Sequence, residues 1–284
     1  MSSRIYIDGI DTYEAYSLSL ADGSYAELVS FPSLKNVEFN DWHEKNGVDP
    51  DLSDPVLDAR NITLNFFIVG PISLYKAFIG AISDGSYHNI NFAEIGLILR
   101  LRLVSCGSVT SVGNLHSFEL SFSDDFPQKG YSYEMPMSEL TPLNDFAIDD
   151  KDIALYGIRA KQGTLDGILS MPDVKPNLTV DIQSVAGIEY DGKTVVYKSK
   201  EAEIICLMKS KSIEEFWRNW NALLYDLIRP GERELTISSI NAKVPFYYKG
   251  CSVESFFCDD GNVWFEFTIS IELFKGLIEY DNLQ

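Results

Sequence analysis

Four stretches of the chain alternate apolar and polar residues with a period of two: Ile62-Thr-Leu-Asn-Phe66, Leu99-Arg-Leu-Arg-Leu103, Phe118-Glu-Leu-Ser-Phe122 and Phe265-Glu-Phe-Thr-Ile-Ser-Ile-Glu-Leu273. Strands of this kind bury one face and wet the other, which predicts antiparallel sheets that curl into a β-barrel or stack as a β-sandwich. A helical period appears twice. Ile213, Phe216, Trp217, Trp220, Leu223, Leu224 and Leu227 fall on one face of a helix. Ser212 with Glu215 forms a capping box in front of it, and Arg229-Pro-Gly231 stops it. A weaker stripe, Leu74, Ala77, Phe78, Ala81 and Ile82, has Ser73 as its candidate cap and Asp84-Gly-Ser86 as its stop. Helices this sparse cannot supply the crossovers of a parallel sheet, so an α/β fold is disfavoured.

The two helical stripes belong to an internal repeat. Leu28-Val-Ser-Phe-Pro-Ser-Leu-Lys35 lies over Ile168-Leu-Ser-Met-Pro-Asp-Val-Lys175, and Tyr16-Ser-Leu18 over Tyr156-Gly-Ile158. Further on, His88 to Phe92 corresponds to Arg233 to Ile237, Cys106 to Cys251, and Phe118 to Phe265. The order is unbroken, which predicts two copies of one mainly β domain, each with a single helix. The first occupies residues 1–127 and the second 151–284. Between them, residues 128–150 are a linker whose Pro-rich start, Pro127 to Pro142, has no sustained periodicity.

Charge narrows the function. The 284 residues hold 23 Lys and Arg against 42 Asp and Glu, a net charge of −19. Both halves are acidic and no short segment concentrates cations, which argues against a protein that grips nucleic acid phosphates. No run of apolar residues reaches the length of a membrane span, and the first residues lack the apolar core of a signal peptide. Cys106, Cys206, Cys251 and Cys258 form no Cys-x-x-Cys pair and read as reduced structural thiols of a protein folded in a cytoplasm.

Catalytic signatures are missing. His43, His88 and His116 are unpaired in sequence, and neither a nucleophile elbow nor a phosphate-binding loop occurs. His88 and His116 are expected as half-exposed strand residues. The acidic run Asp49 to Asp58 lacks the glycine and terminal glutamate of a calcium loop and contains two prolines, so it reads as a solvated loop. A pair of glycosidase carboxylates stays open, because the separation that matters is spatial. Trp42 stands in the polar stretch Asn40 to Gly47, where it either folds back under its loop or anchors a partner.

Arg4-Ile-Tyr-Ile-Asp-Gly-Ile-Asp11, Tyr16-Ser-Leu-Ser-Leu20 and their counterpart Tyr156-Gly-Ile158 resemble the opening of bacteriophage distal tail proteins. The order that follows is similar to the tail tube, distal tail and baseplate hub family. It runs through a Pro-bearing segment, a hairpin arm (about Val37 to Leu57, then Val180 to Val196), a strand, a helix and a strand. The resemblance implies a structural tail protein assembling into a ring that continues the tube, either a trimer with pseudo-six-fold symmetry or a hexamer. Other tail and baseplate proteins would be its partners, and DNA would pass through without specific binding. It further implies assembly in the host cytoplasm, residence in the virion tail, and no enzymatic activity, cofactor, metal or membrane. The candidate assembly residues are Trp42, His43, Asp49, Asp51 and Asp54 in the first arm and Ile188, Tyr190 and Val195 in the second. A duplicated β-sandwich that binds carbohydrate or a surface protein is the alternative, and a glycoside hydrolase the third reading.

Overall fold

Alternation becomes pairing in a computed structural model that describes residues 4–21, 23–176, 179–184, 186–190, 192 and 195–278. The first half builds β1 (Ile5–Ile7), β2 (Ile10–Asp11), α1 (Thr12–Tyr16), β3 (Leu18–Leu20), α2 (Tyr25–Val29), β4 (Phe39–Asn40), β5 (Asp49–Pro50), β6 (Arg60–Val69), α3 (Ile72–Ile82), β7 (Tyr87–Phe92), β8 (Leu97–Cys106), β9 (Thr110–Val112) and β10 (Leu115–Asp124). The second half builds β11 (Phe146–Ile148), β12 (Lys151–Asp152), β13 (Ile158–Ala160), α4 (Thr164–Leu169), β14 (Thr179–Asp181), β15 (Ile188–Tyr190), β16 (Lys200–Ser210), α5 (Ile213–Leu227), β17 (Arg233–Ile237), β18 (Ala242–Asp259) and β19 (Asn262–Leu273).

The protein is mainly antiparallel β, with curled, half-barrel sheet. One sheet runs β2-β1-β7-β8-β10-β6-β3, with β9 beside β10, and the other β12-β11-β17-β18-β19-β16-β13. Position by position these are the same path. Each sheet with its helices forms a module, and β4-β5 and β14-β15 are the separate hairpins of two arms. β11 falls inside the stretch 128–150 that reads as linker, because three residues are too few to show a period.

Pairing also corrects one detail of the repeat. Leu18 pairs with Ile68 and Ile158 with Met208, so β3 and β6 correspond to β13 and β16 at a spacing of 140 residues. Phe118 lies opposite Phe66, whereas Cys206, the counterpart of Phe66, lies opposite Phe267. Phe118 therefore corresponds to Phe267 and not to Phe265. A slip of two residues preserves every inward and outward position, so alternation alone cannot detect it.

The polar residues of the strands follow the same faces. His88 shares the inner face of β7 with Ile90 and Phe92, and His116 that of β10 with Phe118 and Leu120. Both are buried rather than half-exposed. His88 Nδ1 lies 2.7 Å from Asp8 Oδ2, and this contact, with the Asn89 amide, holds the Asp8 carboxyl below its usual range. His116 Nε2 donates to the Gly70 carbonyl at 3.0 Å, and Nδ1 lies 2.8 Å from Ser111 Oγ. The four cysteines are free, but Cys106 is exposed at the end of β8, Cys206 is buried, and Cys251 and Cys258 are intermediate. Burial pushes the Cys251 thiol up to about 12.

Helix α5 begins where its capping box predicts, the Glu215 amide donating to Ser212 Oγ at 3.1 Å. Helix α3 begins one residue before Ser73, and Pro71 stands at its N-cap without a side-chain bond. The stripe of α5 packs on its own sheet, with Trp220 edge-on to Phe265 and Phe267 at 4.8 and 4.7 Å between ring centroids. It also enters the first module. Trp220 stacks on Phe31 and its indole N–H donates to the Val29 carbonyl at 2.8 Å, while Trp217 donates to the Ile95 carbonyl at 2.6 Å. Ile213, Trp217, Phe256 and Cys258 pack against both cores. On its other face, Asp226 is buried and takes Lys151 Nζ at 2.8 Å and Tyr156 Oη at 2.6 Å.

Trp220→Ala removes from the second core a ring that also holds Phe31 and Val29 of the first half, and is expected to cost about 3 to 5 kcal/mol, the range for a large aromatic lost from a core. Chemical denaturation of the full chain measures it. An unchanged unfolding midpoint would mean that α5 does not join the modules.

Candidate assembly interface

Through the loop of its β4-β5 hairpin, the first arm meets the second module of its own chain. Lys175 is buried, and its ammonium lies among four oxygens of the arm: Asp41 Oδ1 at 2.5 Å and the carbonyls of Trp42, Lys45 and Gly47 at 2.9, 2.8 and 2.5 Å. The cation gives three carbonyls of this loop a charge-assisted hydrogen bond. Backbone bonds extend the contact. The Gly47 amide donates to Tyr197 O and the Val48 amide to Phe274 O, both at 2.8 Å, and the Gly231 amide donates to Leu52 O at 2.8 Å. Val48, Leu52 and Phe274 form a small buried cluster with Val37 and Tyr247 at its edge. Gly47 is required twice, by its left-handed φ of 67° and because a Cβ there would lie 1.8 Å from the Phe274 carbonyl oxygen.

The candidate residues of the first arm lie around this contact. The Trp42 ring is 53% exposed while its carbonyl is bound by Lys175 and its indole N–H donates to Asp49 Oδ2 at 3.1 Å. So the backbone of Trp42 folds onto the second module, and its ring remains available outside. Lys45 pairs with Asp49 and holds that carboxyl below the usual range. Asp51 accepts from the Ser53 amide and hydroxyl, which lower it likewise. His43 and Asp54 are exposed. Lys175, Asp41, Gly47, Val48, Leu52 and Phe274, which make the contact, stand outside the sequence-derived set. The coincidence of Lys35 with Lys175 in the repeat was the available signal.

The second arm stands differently. Ile188, Tyr190 and Val195 are all exposed, Ile188 at 63% against 8% for Val48. Residues 185, 191, 193 and 194 of that arm lie outside the described residues. Where the first module meets the linker and the end of α5, a hollow is lined by Lys35, Leu57, Asp125, Lys129, Tyr225 and Ile228. Asp125 anchors its rim, taking Arg102 Nε and the Tyr87 hydroxyl at 2.9 and 2.7 Å together with Ser123 Oγ at 2.5 Å. The hydrogen bonds from Arg102, then Ser123, then Tyr87 hold the Asp125 carboxyl far below its usual range.

Among the described residues no three His, Cys, Asp or Glu side chains are grouped to hold a metal ion. Among them, no helix is long and apolar enough to cross a membrane. No family model matches the chain, and no curated protein does. Among solved structures it is similar to the Dit protein of phage SPP1, described as a paradigm of the hub adsorption apparatus in phages infecting Gram-positive hosts. The two are 11% identical over 96% of this chain and 98% of that one, with a TM-score of 0.35. At that score the likeness carries no argument.

Two outcomes test the site. Gly47→Ala should displace the arm, lowering the melting temperature and exposing the Val48 amide to hydrogen exchange. Gly187→Ala, where a Cβ meets nothing within 4 Å, should cost only the left-handed backbone term of about 1 to 2 kcal/mol. Equal effects would show that the arm does not depend on close approach to Phe274.

The second concerns acid. The folded protein holds Asp125 below its unfolded value, so the native state binds fewer protons than the unfolded chain. The stabilisation is then complete above about pH 4 and is lost as pH falls through the lower folded value. Urea unfolding should show wild type above Asp125→Asn near neutrality, the gap closing on acidification. Parallel pH profiles would remove the ion pair from the stability of the hollow.

Proposed function

We propose that the chain is a structural subunit of a phage or prophage tail, at the distal end of the tube or in the baseplate hub. The observation that carries the reading is the seating of the first arm on the second module. Two modules of one strand order are joined so that an arm of one clasps the next, and the second module has an arm of its own. A contact that joins unlike surfaces of like units is heterologous, and it propagates into a closed ring or an open filament. Two modules per chain favour a trimer with pseudo-six-fold symmetry, and a hexamer is the variant in which only one module of each chain lines the channel. The net charge of −19 supports a conduit, since an acidic wall lets DNA pass without binding it. The second arm, with Ile188, Tyr190 and Val195 exposed, and the outer ring of Trp42 are the surfaces offered to other copies and to neighbouring tail proteins.

Particles purified after prophage induction in the source strain provide the test. Mass spectrometry should find this chain in them at three or six copies per particle, and immunogold labelling should mark one end of the tail. Absence from intact particles would refute the tail role.

A further inference from the structure

The 140-residue spacing that relates the modules also runs through the arms. In β4-β5 Asn40 pairs with Asp49, and in β14-β15 Val180 pairs with Glu189, at that same spacing. On the receiving side, the bridge between Leu34 and Leu57 is repeated by Val174 and Tyr197. The Lys35 amide donates to Val56 O at 2.8 Å and the Lys175 amide to Val196 O at 2.7 Å. Backbone pairing therefore defines the counterparts of the hairpin strands and of the segments around Lys175 and Tyr197.

The ion pair, the left-handed glycine and the apolar residue after it keep their chemistry. Asp41, which takes the Lys175 ammonium, becomes Asp181, and Lys175 itself becomes Lys35. Gly47 becomes Gly187, also left-handed at a φ of 94°. Val48, buried on Phe274, becomes the exposed Ile188. Tyr197, which takes the Gly47 amide, becomes Leu57. In this chain the second set is unused. Asp181 and Lys35 are both exposed, and among the described residues neither forms an ion pair.

We propose that the second arm of one copy docks on the first module of a neighbouring copy, repeating between chains the contact that the first arm makes within one. Asp181 and the Gly187 carbonyl would receive the neighbour's Lys35 ammonium. The Gly187 amide donates to the Leu57 carbonyl, and Ile188 covers the hollow beside Leu57 and Asp125. The occupant is a second copy because the arm and its receiving face are both present in one chain, related by the spacing of a contact already formed, and carry opposite charges at Asp181 and Lys35. Three anchors are missing from the second set: Leu52 corresponds to Gly192, Asn46, whose side chain takes the Tyr197 amide, to Ala186, and Phe274, by the register of β10 and β19, to Asp125. The contact between copies is therefore weaker than the one within the chain. It deepens the ring reading and rests on it only for closure, not for the pairwise contact.

Sedimentation velocity of the full chain from micromolar to millimolar concentration tests it, with Asp181→Lys, Lys35→Asp and their double variant. Both positions are exposed and, among the described residues, outside any ion pair, so the fold should survive, which a thermal melt checks. Wild type should self-associate. Each single variant should weaken association by about tenfold or more, since like charges would face each other at the contact. The double variant, and an equimolar mixture of the two singles, should regain it, because an ammonium and a carboxylate then face each other again across the contact. Ile188→Asp should weaken association without rescue. A discrete closed species would support the ring as well. An unlimited ladder sensitive to the swap would support the contact and count against ring closure. Wild type that stays monomeric throughout would overturn the proposal and assign the arm to a different protein. Self-association indifferent to the swap would overturn the contact and leave the ring reading standing.

Discussion

Two indole N–H groups on α5 hold the molecule in one arrangement. Trp217 and Trp220 lie in or against the second core, and a buried indole donor must find an acceptor. Both acceptors, the Ile95 and Val29 carbonyls, belong to the first module. Burying the apolar stripe of α5 and satisfying its donors are thus possible together only with the first module in place. Phe31 completes the joint by stacking on Trp220 and lying edge-on to Tyr248, whose hydroxyl donates to the Pro32 carbonyl at 2.8 Å.

The opposite face of α5 is organised by charge. The linker crosses it as Asn219 accepts from the Met137 amide and Arg218 donates to the Met137 carbonyl. Nearby, Asp226 draws Lys151 and the Tyr133 and Tyr156 hydroxyls together, and desolvation with the Asp226 hydrogen bond pushes the Tyr156 phenol far above its usual range. With one face on the first module and the other under the linker, the helix has no freedom to turn.

The modules share a backbone plan and differ where they meet other surfaces. Arg60 donates to the Leu28 and Ser30 carbonyls, and Lys200 does so to Ile168 and Ser170, so a cation closes the loop after α2 and α4 in the same way. Arg60 also has a carboxylate, Asp124, among its partners, and among the described residues Lys200 pairs with none. Helix α3 buries Phe78 and Ile82, whereas α5 buries a continuous face. Repetition of one strand path supplies the frame, and the difference between the two helices creates the joint between the modules.

Short-range order was legible in the sequence because it rests on local periodicity. The strands around Ile62, Leu99, Phe118 and Phe265, the helix from Ser212, and the correspondence of Lys35 with Lys175 all follow from patterns within a few residues, or from repetition of such patterns. The buried faces of His88 and His116 were also written in their phase with Ile90 and Phe118, though a histidine does not announce itself as apolar. Tertiary structure alone decided the rest. The pairing register of β10 and β19 differs from the sequence match by a two-residue slip to which alternation is blind. Likewise, the destination of the first arm depends on Lys175 meeting Asp41 across 134 positions of chain, a contact without any local signature. Charge and hydrogen-bonding demand are readable residue by residue, but which donor meets which acceptor is set by the folded path that brings them together.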